Sequence, residues 1–195
     1  MGTRHLTCVV KDKEYIVAQY GQWDGYPSGQ GVNILHFLRN EFIEEKFLEK
    51  IKMAIFPTQE ELQNCYKKHG ADNDEWISLE VAKSFNLEHP YLSRDIGSDI
   101  LPMIQNAEKP FWFHKNKNFA YQSLFCEWCY VIDLDEKSFE IFTGFNKELL
   151  NENERFYSKE RHDNYYGVKL LEKYNLYNLP TIDHFLEDLE KIGEK

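Results

Sequence analysis

The chain has 195 residues, 42% of them hydrophobic and 29% charged, so it can bury one substantial core, and the disordered and fibrous classes are excluded. Its formal net charge of -10 repels a phosphate backbone, which argues against direct binding of nucleic acid. We therefore predict a single domain over residues 1–195 with an acidic surface.

Two β-rich runs open the chain, and a short polar turn joins them. They span residues 3–10 and 14–21, and this spacing predicts an antiparallel hairpin. A glycine-rich segment, residues 21–31, follows. After it, apolar residues recur at three- and four-residue steps over residues 32–56, which predicts one long helix or two helices in succession.

Helix start and stop signals fill the middle third of the chain. A capping-box pattern begins at Thr58, and Ser78 can cap the next short helix. Ser93 can accept a hydrogen bond from the first free amides of a third helix, which Pro102 would kink or end early. We expect this helical insertion, about residues 58–106, to lie over the sheet rather than to form a domain of its own.

The last third predicts a second hairpin, a further strand and a final helix. Aromatic, alternating runs at residues 128–134 and 139–144 flank a turn, while residues 146–166 are expected to form a loop. Residues 167–176 can add a strand, and Thr181 can cap a closing helix whose apolar face comprises Ile182, Phe185, Leu189 and Ile192. This order predicts an α+β fold with a mostly antiparallel sheet and helices packed on one side.

The residues that could bind a metal form no recognisable motif. Cys126 and Cys129 make a CxxC pair, but it lies in a predicted strand, where residues three apart point to opposite faces. Cys8 and Cys65 are far from it in sequence, and the seven histidines form no HxH or HExxH pattern. The DLD motif at 133–135 precedes a turn, where aspartate serves turn chemistry. We expect buried structural cysteines, no metal site and no cofactor.

The segment GQWDGYPSGQG, residues 21–31, has two interpretations. As a connector, its glycines and proline make tight turns before Ser28 or Gln30 caps the helix. As a site, the same glycines let backbone amides approach a ligand, and the positive end of the following helix favours an anion. A connector does not need the four side chains here that can stack on a ring and hydrogen-bond to its edge: Gln22, Trp23, Asp24 and Tyr26.

Other charged residues could complete such a pocket. In LSRDIG, Arg94 and Asp95 either make structural ion pairs at a helix start or form a second wall beside the glycine-rich segment. Arg4 could pair with Asp24 or present a fixed cation to an anion. Glu127, if its strand is central, needs a partner such as Arg4 or Arg94.

Four motifs in this order resemble an uncharacterised family of small proteins from bacteriophages, prophages and bacteria: MGTR, QWDGYPSGQG, LSRDIG and EWCYVIDLD. The similarity runs over most of the chain. The resemblance brings no assigned activity, cofactor or catalytic residue. Its phage context implies an accessory protein that acts on the host, such as a factor that counters host defence.

Three functional hypotheses fit these residues, all for a protein that we expect in the cytoplasm because no membrane-spanning run or signal peptide is evident. The first is a non-enzymatic binder of a small anionic, nucleotide-like ligand or a host protein. The second is a hydrolase or transferase in which Asp24, Asp95 or Glu127 is the general base. The third is an acidic decoy that blocks a nucleic-acid-binding host nuclease. The candidate ligand-binding residues are Arg4, Gln22, Trp23, Asp24, Tyr26, Ser28, Gln30, Arg94, Asp95 and Glu127.

Overall fold

The computed structural model describes residues 2–71 and 78–193, and within these ranges the fold is α+β, as predicted. The strands are β1 (His5–Lys11), β2 (Glu14–Gly21), β3 (Ala54–Ile55), β4 (Phe111–Trp112), β5 (Trp128–Asp133), β6 (Ser138–Thr143) and β7 (Lys169–Asn175). The helices are α1 (Val32–Asn40), α2 (Glu44–Lys50), α3 (Gln59–Lys68), α4 (Leu79–Glu88), α5 (Ile100–Gln105) and α6 (Ile182–Gly193).

The main sheet has five strands in the order β2-β1-β5-β6-β7. Both predicted hairpins are present, and β7 adds antiparallel to β6, so the sheet is mostly antiparallel, as expected. Asp12 and Lys13 take positive φ angles of 52° and 63° in the first turn, the geometry that a tight two-residue hairpin requires. One pairing within the sheet is not antiparallel: β1 runs parallel to β5, with His5 opposite Trp128. A separate two-stranded parallel sheet joins β3 to β4.

Each face of the main sheet buries its own apolar cluster. On one face, Tyr130 and Phe139 pack beneath the helices, which contribute Ile34 of α1, Phe47 of α2 and Phe185 of α6. Helices therefore lie on one side of the sheet, as predicted. The opposite face is covered by a 3₁₀ turn at Lys117–Tyr121 and by the loop over residues 146–168, and its cluster includes Leu6, Val131, Phe142, Phe156 and Val168.

Two helices of the middle third, α3 and α4, begin at the predicted caps. The long apolar run forms two successive helices, α1 and α2. The capping box at Thr58 is present at the start of α3, and the hydroxyl of Ser78 accepts a hydrogen bond from Val81 N at the start of α4. None of the helices within residues 2–71 and 78–193 is long and apolar enough to span a membrane.

The third predicted cap is wrong. The hydroxyl of Ser93 accepts a hydrogen bond from Asp95 N at 3.3 Å in a local turn, and α5 begins only at Ile100. Pro102 then lies in the first turn of α5, where a missing amide hydrogen removes no helical hydrogen bond, so it neither kinks nor ends the helix.

The CxxC pair also differs from the prediction. Since β5 begins at Trp128, Cys126 precedes the strand, and both Cys126 and Cys129 are buried in the same apolar cluster as Cys8. All four cysteines are buried and none forms a disulfide, and Cys8, Cys126 and Cys129 pack in the second apolar cluster as expected. Burial raises the pKa values of the Cys126 and Cys129 thiols well above their usual range, which keeps them protonated.

The closing helix begins as predicted, because the hydroxyl of Thr181 accepts a hydrogen bond from His184 N at 3.3 Å. Phe185 and Leu189 are buried on its inner face, whereas Ile182 is exposed. The side chain of Ile192 lies outside the described residues.

Candidate functional site

The glycine-rich segment leaves the end of β2 and turns back across the start of β1. Asp24 takes a left-handed φ of 55°, and the next amide, Gly25 N, donates to Thr3 O at 3.0 Å. The buried hydroxyl of Tyr130 donates to Gly25 O at 2.8 Å, which ties the segment to the centre of the sheet. A Cβ at Gly25 would lie 2.7 Å from Thr3 O, so only glycine fits.

The segment then forms a π-helical turn, Pro27–Gly31, that continues into α1. Gly29 N and Gly31 N donate to Tyr26 O, and Gln30 N donates to Asp24 O. The amides of Gly29, Gln30 and Gly31 therefore already have partners, and Pro27 has no amide hydrogen to offer. These three amides are therefore not available to an anion at the helix N-terminus.

Neither of the two expected caps operates. Ser28 is exposed, and no side chain caps the start of α1. Gln30 instead turns inward, where its Oε1 accepts from Ser98 N at 2.8 Å. Gly97 has a positive φ of 52°, and a Cβ there would also displace the Gln30 side chain, so this position favours glycine.

The LSRDIG motif does lie beside the glycine-rich segment. Gln22 N donates to Arg94 O at 3.0 Å, and the indole Nε1 of Trp23 donates to Asp95 Oδ1 at the same distance. Arg94 lines two clefts with Tyr66, and Asp95 also lines one of them. The backbone of the motif thus lies against the segment, while Arg94 and Asp95 line a cleft that contains none of the other candidate residues.

Four candidate residues line one cleft of about 510 Å³ at the start of β1 and β5: Arg4, Gln22, Tyr26 and Glu127. The topology explains this arrangement, because the parallel pairing of β1 with β5 places the residues before both strands side by side. Leu124, Phe125 and Phe145 complete much of the lining. The other six candidates do not line this cleft: Trp23, Asp24, Ser28, Gln30, Arg94 and Asp95.

Arg4 and Glu127 form the polar centre of the cleft. Arg4 N donates to Glu127 Oε1 at 3.2 Å, and the guanidinium Nε lies 3.8 Å from the same oxygen. The guanidinium also lies over the ring of Phe125, 5.0 Å from its centre. Glu127 thus has one of the two partners expected from the sequence, whereas the alternative pairing of Arg4 with Asp24 does not occur.

Exposed aromatic side chains surround this centre. We call Trp23, Tyr26, Phe125 and Phe145 the aromatic surface; their exposed fractions are 48%, 55%, 36% and 54%. The backbone of Gly2 packs against the ring of Trp23 and also lines the cleft, so it links Trp23 to the other three. The exposed fractions matter because side chains of this size are usually more deeply buried in a folded protein.

Phe125 and Phe145 were not predicted as site residues. Each lies just outside a strand, and the antiparallel register of Trp128 with Thr143 brings the start of β5 and the end of β6 together. The predicted hairpin was therefore enough to indicate that Phe125 and Phe145 lie close together. Their exposure could not be read from a sequence in which most aromatic residues are buried.

Beneath the segment lies a buried histidine. The ring of His5 packs against Gly21 and Gly25, and neither ring nitrogen has a hydrogen-bond partner among the residues described. Burial lowers the pKa of His5 to about 4, so the ring is neutral at pH 7. It supports the segment from below and does not line the cleft.

The aspartates of the DLD motif stabilise turns, as expected. Asp133 Oδ1 accepts hydrogen bonds from Asp135 N and Glu136 N, both at 2.9 Å. The carboxylate of Asp135 accepts from Asp12 N and Lys13 N in the neighbouring hairpin turn. Both carboxylates therefore accept hydrogen bonds from backbone amides of the turns.

No protein-family model, curated protein sequence or solved structure matches the chain in comparisons with known proteins.

Proposed function

We propose that the protein is a non-enzymatic binding protein that docks a partner protein on the aromatic surface. The observation that carries the proposal is the exposure of four aromatic side chains at one end of the sheet, three of which line the cleft with Arg4. Clustered exposed apolar groups commonly mark interaction sites. Tryptophan, tyrosine and arginine are also the residues that most often dominate the binding energy of protein interfaces.

The positions of the acids favour a binder over a hydrolase or transferase. Asp95 accepts a hydrogen bond from Trp23, and Glu127 accepts one from Arg4 N. Of the three candidate bases, Glu127 alone lines the cleft, whereas Asp24 lies on an exposed turn. An active site would bring an acid, a base and oxyanion donors together around one reacting atom.

Two features favour a protein over a small anionic ligand. The amides of Gly29, Gln30 and Gly31 already donate to backbone carbonyls, so they are not available to an anion. In the cleft, the positive charge of Arg4 lies beside the negative charge of Glu127. The aromatic rings supply apolar area that a protein surface can cover.

The class of partner follows from the resemblance to phage proteins. We propose a host protein, one that takes part in defence against phage, as the partner. The net charge of -10 favours a partner with a basic surface.

The experiment is co-purification from the bacterial host with the native chain and two variants. We expect one stoichiometric partner on the native chain, and loss of that partner from Tyr26→Ala/Phe145→Ala, because truncating aromatic anchors commonly costs more than about 2 kcal/mol of binding energy. Tyr177→Ala is the matched control, since Tyr177 is 80% exposed and does not line the cleft.

Two results would contradict this proposal. In the first, a partner stays bound to the double variant while that variant remains folded, so the aromatic surface is not where it docks. In the second, native mass spectrometry finds a small molecule, and no protein, retained by the native chain and lost from the double variant. That result would favour the small-ligand hypothesis for the same cleft.

A further inference from the structure

A second cluster of reactive side chains lies between α3 and α4, and it has no part in the proposed docking. Cys65 of α3, Glu88 at the end of α4 and His89 directly after it turn their side chains toward one another. Their ligand atoms all lie within 4.8 Å of one another. Glu88 and His89 are adjacent, but Cys65 lies more than 20 positions before them in sequence, so the three residues form no compact motif.

The distances from His89 Nε2 to the other two ligand atoms are close to those in a tetrahedral metal site. Cys65 Sγ lies 3.3 Å from His89 Nε2, and Glu88 Oε1 lies 3.8 Å from the same nitrogen. Ligand atoms bound to tetrahedral zinc at about 2.0–2.3 Å are about 3.3–3.6 Å from one another. Only small side-chain adjustments would therefore bring the three atoms into zinc coordination.

The surroundings of the cluster hold two of its members in place. The ring of His89 stacks on Trp112, with ring centres 4.2 Å apart and planes within 13°. His69, one turn after Cys65, reaches Glu88 Oε2 through its Nε2 at 3.1 Å. The other ring nitrogen of His69 is 2.7 Å from Ser84 Oγ, so that both edges of this imidazole are engaged. Ligand carboxylates in metal sites are oriented by hydrogen bonds of this kind.

We propose that Cys65, Glu88 and His89 bind a zinc ion, and that His69 is a positioning residue for Glu88. A thiolate and an imidazole are ligands that favour zinc over calcium or magnesium, which prefer oxygen. Binding forms a bond from the Cys65 sulfur to zinc and releases the thiol proton to solvent. Zinc would also displace the ammonium of Lys68, which contacts both oxygens of Glu88 from the exposed side. Three protein ligands leave one tetrahedral position for a solvent molecule.

The test uses the purified full chain, stripped of metal by a chelator under reducing conditions and titrated with Zn²⁺ against a chromophoric competitor. We expect the native chain to bind one equivalent, and Glu88→Gln to bind it at least about tenfold more weakly. Glu88 is an exposed residue at a helix end, so this variant should fold. His184→Gln, which changes an exposed histidine of α6, should bind zinc like the native chain.

Cobalt in place of zinc identifies the sulfur ligand. We expect the ultraviolet charge-transfer band of a cobalt–thiolate bond in the native chain and its loss in Cys65→Ala. In His69→Gln the band should persist while the affinity falls about tenfold, the signature of a positioning residue. The proposal is overturned if the native chain takes up no zinc, if Glu88→Gln binds it as tightly as the native chain, or if the band survives in Cys65→Ala. The last result would place the metal at the other cysteines.

Discussion

Trp23 and Asp95, 72 residues apart in sequence, are joined by a hydrogen bond of 3.0 Å from the indole Nε1 to a carboxylate oxygen. This contact and the backbone hydrogen bond from Gln22 N to Arg94 O fix the glycine-rich segment against the LSRDIG motif. The indole is half exposed, and the bond orients it within the aromatic surface.

Loss of this bond should affect orientation more than stability. For Asp95→Ala we expect the free energy of unfolding to fall by less than about 1 kcal/mol, because the bond is exposed and water can replace the carboxylate. Chemical denaturation measures the change, with Glu190→Ala, an exposed acid of α6, as the control. A loss above about 2 kcal/mol would mean that the Trp23–Asp95 bond holds the fold together.

Gly97 should tolerate no side chain. Its φ is 52°, and a Cβ would lie 2.7 Å from Gln30 Oε1, so Gly97→Ala combines backbone strain with a clash. We expect a loss of about 1–3 kcal/mol in the free energy of unfolding, measured by chemical denaturation.

The double variant Gly97→Ala/Gln30→Ala separates the effect of the clash from the effect of the backbone strain. It removes the clash and keeps the positive φ, so its destabilisation should be smaller than the sum of the two single variants. Strict additivity would show that the Gln30 side chain does not obstruct position 97.

Arg155 should be essential for the long loop that covers the second face of the sheet. Its guanidinium donates to Glu140 Oε2 at 2.7 Å and to Asp133 Oδ2 at 2.6 Å, and both carboxylates are buried. Arg155→Met removes the cation that joins the two buried carboxylates, and among the described residues it leaves Lys173 as the cation at Glu140. We expect a loss of roughly 3 kcal/mol in the free energy of unfolding and faster proteolysis within residues 146–168.

Lys169→Met is the matched control for Arg155→Met. Lys169 pairs with Glu148 at 2.8 Å, but both side chains are exposed, so this variant should change stability little. Equal effects of the two substitutions would contradict a special role for the buried pair.

His5 should make the fold sensitive to mild acid. Its pKa is about 4 in the folded chain and 6.5 when it is exposed, so below pH 6.5 the unfolded state binds the proton more readily. Stability is therefore lost as the pH falls from 6.5 toward 4, and His5 should contribute about 2 kcal/mol of the loss between pH 7 and pH 5.

Chemical denaturation at these two pH values tests the assignment to His5. His5→Leu should show a pH dependence smaller by about that amount. His184→Gln, in which an exposed histidine is changed, should keep the native dependence. If His5→Leu keeps it as well, another group is responsible.

The parts of the structure that follow from local chemistry were predictable. The turn at Asp12 and Lys13, the capping box at Thr58 and the alternating face of β5 each depend on residues close together in sequence. Ser93 shows where this reasoning fails. A serine that can cap a helix can equally close a local turn with Asp95 N, and packing decides between the two.

The candidate site was only partly predictable, because several of its contacts join residues that are distant in sequence. The position of Arg4 beside Glu127 follows once β1 is known to pair with β5, but a parallel pairing leaves no turn signal in the sequence. The hydrogen bonds from Gly29 N and Gln30 N to carbonyls of the same segment could not be predicted, because these residue types fit both a connector and an anion site. The exposure of Phe145 depends on which neighbours cover it, and those neighbours are distant in sequence.

The parallel pairing of β1 with β5 also has a consequence for the order of events during synthesis. Arg4 and Glu127, which flank the two central strands, are 123 residues apart. The first hairpin can close as soon as it leaves the ribosome, but the middle of the sheet cannot form until β5 has been made. The central contacts are therefore among the most non-local in the chain, and contacts of this kind are associated with slow folding.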